Sequence, residues 1–253
     1  MPRPRRVPND RAVPAHSKKG ASMVSCTRIL RCEEGCVPVT ILVIGPIDNN
    51  TLIVSDGRQE GAPAMVVDPS GDPDAIMSAL GWFTLERIVL THNHHDHVAA
   101  LPELVERTGA QVVCHAADAG LIERGQENPY DPEHPFIEGV PVDRKVADGD
   151  VVRVGSLEFQ VIHTPGHTKG GICLYLPAAS DDAGVMKPGI LLSGDTLFCG
   201  ATGRVDFEGG SAREMRRSMR EKLAPLPDAT IVFPGHENLT TIGMERHRTI
   251  EAF

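Results

Sequence analysis

Aromatic residues are scarce in this chain: one Trp, two Tyr and seven Phe make up 4% of 253 positions. Val, Ile and Leu must therefore fill the core, and a hydrophobic content of 41% is enough to bury one of ordinary size. No apolar run is long enough to cross a bilayer, which argues against a membrane protein. Positive charge is also short. A formal net charge of −9 repels phosphate backbones, so nucleic acid is excluded as a partner. Paired C-x2-C spacing is missing among the six cysteines; Cys26, Cys32 and Cys36 are spaced C-x5-C-x3-C, which is not a structural zinc pattern. Cys114, Cys173 and Cys199 lie in or beside strand-like runs and read as reduced thiols, as expected of a cytoplasmic protein. There is no G-x-S-x-G elbow and no repeat of solenoid type.

The first 22 residues are basic and rich in proline, with almost no large apolar side chains, and are expected to be a disordered tail. No hydrophobic segment follows the basic residues, so they do not read as a secretory signal. Residues 23–253 are expected to form a single α/β (α+β) domain. Segments 39–44, 51–54 and 64–67 run apolar or alternate between turn signals, as antiparallel strands do. A helix is expected over 73–80. Val98, Leu101, Leu104 and Val105 keep helical spacing up to a stop at Gly109. Ser211 to Glu214 reads as a capping box ahead of a core-facing stripe, Met215, Met219 and Leu223.

Residues 91–97 read T-H-N-H-H-D-H directly after an apolar, strand-like run. Side chains two apart on an extended segment point the same way, so His92 and His94 can converge on one point. Asp96 and His97 fall where the backbone turns and can face a second point nearby. Imidazole and carboxylate are ligands that zinc, iron and manganese accept. Three later positions repeat the pattern of an apolar strand, a turn, and then His or Asp: His167 in H-T-P-G-H-T, Asp195 in L-L-S-G-D-T and His236 in I-V-F-P-G-H-E. Strands ending together at one sheet edge would deliver these residues to a polymetal site. Of the other histidines, His95 is expected to turn away from the metals, His163 to cap a strand end, and His115 at most to line the groove. The proline-bearing stretch 130–136 reads as a stiff loop overhanging the site.

In their order, H-x-H-x-D-H, T-P-G-H-T, S-G-D-T-L-F and P-G-H-E resemble the metallo-β-lactamase superfamily, and within it the short, type II glyoxalase-like hydrolases. The resemblance covers roughly residues 39–245. It implies an αββα sandwich with two divalent metal ions at one edge, zinc foremost, iron or manganese also accepted. His92, His94 and His167 would hold the first, Asp96, His97 and His236 the second, and Asp195 would bridge them. It further implies thioester hydrolysis by a hydroxide held between the metals, with Asp96 shuttling a proton and Arg204 meeting the substrate, an S-(2-hydroxyacyl)glutathione or related small thioester. His94 departs from the flavo-diiron pattern, and Asp195 stands where zinc β-lactamases generally carry Cys or Ser. Asp206 and Asn238 occupy positions where the long glyoxalases carry tyrosines, which leaves the thiol carrier open. The alternative is a persulfide dioxygenase with one iron on His92, His167 and Asp195; Pro-Gly-His-Glu rather than Pro-Ala-His-Asp favours the hydrolase. All seven ligand positions hold competent residues, which disfavours a scaffold without activity.

Overall fold

Two-residue alternation along the strands sorts the apolar side chains into separate layers. In the computed structural model, which describes residues 26–45, 47–181 and 183–253, Leu52 and Val54 face one core while Ile53, between them, faces another. Met65 and Val67 alternate in the same way with Ala64 and Val66. The basic segment 1–22 lies outside the described residues.

The first sheet opens with β1 (Cys26–Cys32), β2 (Val39–Ile44), β3 (Asn49–Ser55) and β4 (Pro63–Val67), an antiparallel meander. Helix α1 (Pro73–Leu80) then carries the chain back to β5 (Thr84–Val89), parallel to β4. Helices α2 (His95–Val98) and α3 (Leu101–Thr108) lead to β6 (Gln111–His115), parallel to β5. Helix α4 (Ala119–Arg124) and a short ribbon, β7 (Gln126–Glu127) with β8 (Phe136–Ile137), precede β9 (Arg144–Val146), which closes the seven-stranded sheet. The second sheet has six strands: β10 (Val151–Val154), β11 (Leu157–His163), β12 (Ile172–Leu176), then, past the ribbon β13 (Ala179–Ser180) and β14 (Met186–Lys187), β15 (Ile190–Gly194), β16 (Ile231–Pro234) and β17 (Thr240–Thr241). Its one parallel pair, β15 with β16, is joined through α5 (Ala212–Arg217), which continues as a wider π-type helix over Ser218–Leu223. Parallel neighbours need such crossovers. The chain ends on α6 (Ile242–Glu245) and a second π-type stretch, Arg246–Ile250.

Side chains of both sheets, among them Val39, Leu52, Val89, Phe159, Leu174 and Phe233, share the central core. The outer face of the first sheet packs on Ile76, Leu80, Leu101 and Leu104 of α1 and α3. The outer face of the second packs on Met215, Met219, Leu223 and Ile250. The layers are thus helix, sheet, sheet, helix, the sandwich the resemblance implies. Each fully buried Leu, Val or Phe here contributes about 1.5–3 kcal/mol.

Two local expectations are corrected. The helical spacing from Val98 to Val105 is split between α2 and α3, because Pro102 has no N–H and sits in the first turn of a new helix. Gly109 does end α3, with φ 65° and its N–H on the Val105 carbonyl. The box at Ser211 is half formed. Its hydroxyl accepts from the Glu214 N–H at 3.3 Å, but its own N–H donates to the Gly166 carbonyl rather than to Glu214.

Candidate metal centre

Four strand ends converge on one edge of the sandwich. His92 lies just past β5, His94 is the extended residue before α2 (φ −67°, ψ 144°), and Asp96 and His97 stand in the first turn of α2. His167 follows β11, Asp195 follows β15 and His236 follows β16. Backbone hydrogen bonds tie these ends together: Ile172 N–H to the Thr91 carbonyl (2.9 Å), Gly235 N–H to the Gly194 carbonyl (2.9 Å) and Asn50 N–H to the Gly235 carbonyl (2.7 Å). Gly235 has to be glycine here, since a Cβ would land on Asp195 Oδ1 and on the His97 ring.

The side chains gather as two sets. One ligand atom each of His92, His94 and His167 lies within 4.8 Å of the others, and the same holds for Asp96, His97 and His236. Asp195 sits between them, 3.4 Å from His167 Nε2 through Oδ2, 3.6 Å from His236 Nε2 through Oδ2, and 3.4 Å from His97 Nε2 through Oδ1. His92 Nε2 and Asp195 Oδ1 are buried with no hydrogen-bond partner among the described residues. Leaving such groups unsatisfied costs about 1–3 kcal/mol each. A cation shared by nitrogen and oxygen donors removes that cost, and the donor set suits zinc, iron or manganese.

Surrounding groups fix which ring nitrogen points inward. His167 Nδ1 donates to the Arg204 carbonyl (2.6 Å) and His236 Nδ1 to the Ile47 carbonyl (3.1 Å), which frees both Nε2 atoms. His97 Nδ1 meets Asp68 Oδ2 at 3.0 Å. A third set, Asp68 with His92 and His97, has ligand spacing too. Asp68, however, already accepts from Thr91 N–H (2.7 Å) and Thr91 Oγ1 (2.6 Å), so it orients His97 instead. Asn49 Nδ2 donates to Asp96 Oδ2 at 2.9 Å.

Electrostatics follow from crowding. Burial, reinforced by His97 and His94, pushes His92 well below the ordinary imidazole range; burial and His167 bring His94 to about 3. Burial opposes ionisation of Asp96, yet His97 and the adjoining His236 and Asn49 side chains outweigh it and hold the carboxyl far below its usual range. Burial also opposes a proton on His97, but Asp195, Asp96 and Asp68 raise its pKa well above the ordinary value. Neutral His92 and His94 thus stand on one side and a strong pull on positive charge on the other. Above it opens a cavity of about 840 Å³, lined by His94, Asp96, His167, Asp195 and His236 and by side chains of α4 and the 204–209 segment.

A family model described as the metallo-beta-lactamase superfamily matches residues 45–236. The chain belongs to this superfamily. Within it, the chain is 36% identical to an uncharacterized protein of Aquifex aeolicus over 82% of this chain and 93% of that one. It is 35% identical to a hydroxyacylglutathione hydrolase of Cereibacter sphaeroides over 79% of this chain and 68% of that one. Among solved structures, the BLEG-1 B3 metallo-beta-lactamase superposes with a TM-score of 0.71 at 29% identity, covering 85% of this chain and all (100%) of that one. ETHE1 from Myxococcus xanthus does so with a TM-score of 0.60 at 29% identity, covering 89% and 84%.

The seven residues that the resemblance assigns as ligands thus come together, while several other residues have partners the sequence did not suggest. Arg204 lines the cavity, but its guanidinium is engaged by Asp206 (3.0 and 2.7 Å) and lies 4.3 Å from the Phe207 ring centroid. His95 stands outside both ligand sets, as expected, and it lines the cavity and packs on Tyr130 with ring centroids 5.1 Å apart. His115 is not in the cavity lining; it stacks on His163 at 4.0 Å. His163 accepts a strand-end role, its Nε2 lying 2.9 Å from the Lys169 carbonyl. Of the stiff loop, Tyr130 reaches the cavity. Asp68 and Asn49 escaped the sequence reading. For Asp68 a signal existed, since it follows the apolar strand β4 at an Asp-Pro turn, as Asp195 follows β15. Among the described residues no helix is long and apolar enough to cross a membrane.

Proposed function

We propose that this superfamily member is a metal-dependent hydrolase of small thioesters, of the S-(2-hydroxyacyl)glutathione type or a related thiol. The observation that carries the reading is the carboxylate of Asp195 set between two complete donor triads. The 35% identity to a hydroxyacylglutathione hydrolase supports the ester class. His92, His94 and His167 would hold one cation, Asp96, His97 and His236 a second, with Asp195 shared; zinc is the first choice, iron or manganese fit the same donors. Cations so placed lower the pKa of a coordinated water from ~15.7 toward ~7 and polarise an acyl carbonyl.

The chain's own residues do the remaining work. Asp68, Asn49 and the Arg204 carbonyl keep His97, Asp96 and His167 in place. Asp96, partly open to the cavity, would take and return a proton while remaining a ligand. A thiolate is a good leaving group, so no strong acid is required of the protein. None of this needs a Ser or Cys nucleophile.

A second reading has an observation of its own. His92, His167 and Asp195 lie together as two imidazoles and one carboxylate, and ETHE1, similar over 89% of the chain, supports a single-iron persulfide dioxygenase. Loss of thioester from S-D-lactoylglutathione, with zinc or iron and with chelator, separates the two. Metal-dependent hydrolysis is the expected result. Oxygen uptake with a persulfide and no hydrolysis would replace it by the oxygenase, and β-lactam opening is the control suggested by the likeness to BLEG-1.

A further inference from the structure

The residue that the resemblance assigns to substrate binding is already occupied. Arg204 presents its donor edge to Asp206 through two hydrogen bonds, and Glu208 lines the cavity beside it. An incoming carboxylate would meet two acids on that segment for one arginine. The other cations of the cavity are Arg124 and Lys169, and neither makes an ion pair with any described residue.

Both are held at the cavity by links to the ligand-bearing loops. Arg124 ends α4, a helix clamped at each end. Before its first turn, Asp118 accepts from Thr168 Oγ1 (2.8 Å) and Gly170 N–H (2.7 Å), the residues flanking Lys169 and next to His167. Just beyond its last turn, Gln126 Nε2 donates to the Asn93 carbonyl (2.7 Å), between His92 and His94. Asp118 is buried and spends both oxygens on these bonds, and it forms no ion pair with either cation. Tyr130, one of two tyrosines in the chain, lines the same cavity. Its loop is internally braced: Asp131 accepts from Glu133 and His134 N–H, and Asn128 N–H donates to the Pro135 carbonyl.

We propose that Arg124 and Lys169, with Tyr130 beside them, form the subsite that recognises a carboxylate-bearing thiol carrier, in place of the Arg204 segment. The inference rests on the thioester reading for the nature of the carrier. Arginine provides a planar fork that matches a carboxylate, and Lys169 a second point charge. A chain with net charge −9 that keeps two unpaired cations at its cavity selects anions over neutral thiols there.

Calorimetric titration of S-methylglutathione into the metal-loaded full chain tests this. Arg124→Gln and Lys169→Gln should each weaken binding about threefold to fivefold, and the double variant on the order of tenfold. Arg124→Lys should restore part of the loss. With S-D-lactoylglutathione, the same variants should raise KM more than they lower kcat. Binding by the double variant equal to wild type, a larger loss from Arg204→Gln, or no binding by wild type would overturn the subsite. An uncharged N-acetylcysteamine thioester separates the two levels. If neither thioester is hydrolysed but S-methylglutathione binds through Arg124 and Lys169, the hydrolase reading fails and the subsite stands. If both are hydrolysed with equal kcat/KM and S-methylglutathione does not bind, the reaction stands and the subsite falls.

Discussion

At the floor of the cavity His92, His97 and His167 are buried, and each has a ring nitrogen within hydrogen-bond distance of a neighbour: Thr91, Asp68 or the Arg204 carbonyl. At the rim, Arg204 and Asp206 are each 65% exposed and are paired only with one another or with the neighbouring Phe207 ring. The floor is over-determined by its surroundings, and a change at any one of its residues disturbs several others. The rim is loosely determined, and an exposed ion pair of this kind contributes about 0–1 kcal/mol. On the proposed reading the first region carries the chemistry, while the exposed Arg204–Asp206 pair leaves recognition to the other cations of the cavity, Arg124 and Lys169.

Mutation should separate the regions by size of effect. His94→Ala removes a donor that lies 2.8 Å from His167 Nε2, and should cut thioester hydrolysis on the order of a thousandfold or more while lowering bound metal, measured by turnover and elemental analysis. Unchanged hydrolysis would remove His94 from the site and with it the two-cation account. Asp68→Asn leaves every proposed ligand in place but weakens the hold on His97. A loss of about tenfold to a hundredfold in metal affinity, read by competition with a chelator, is expected. At the rim, Arg204→Gln should raise KM for S-D-lactoylglutathione by no more than about threefold; a larger rise would mean the pair with Asp206 opens to receive substrate.

The smallest effect concerns the cores beneath. Burial pushes the thiols of Cys114 and Cys173 up to about 12 and about 11, so both should stay unlabelled by iodoacetamide at pH 8 in the native protein. Rapid labelling of either, detected by peptide mass, would show that the layer around it opens.

The same division explains what could be read from the sequence. Each proposed ligand sits within a few residues of an apolar strand, so one periodicity and one residue type announce it: Asp195 follows I-L-L-S-G, and His236 follows I-V-F-P-G. The strands β2, β3 and β4 were legible because their alternation is strong. Strand β1, C-T-R-I-L-R-C, was not, since it lies at the sheet edge and carries the charges that edge strands tolerate. Pro102 could have been read as a break, and the helical spacing around it hid that. Arg124 and Lys169 carry no local signature at all. Only Asp118 and Gln126, reaching across the fold to Gly170 and Asn93, bring them to the cavity. The partner of His95 was hidden for a similar reason, because Tyr130 lies 35 positions away on another loop.

The most direct test of the central claim is a metal titration of chelator-treated protein followed by S-D-lactoylglutathione hydrolysis. With two donor triads sharing Asp195, activity should rise until two equivalents of metal are bound per chain. Activity complete at one equivalent, or none with any of zinc, iron or manganese, would contradict a two-cation hydrolytic floor.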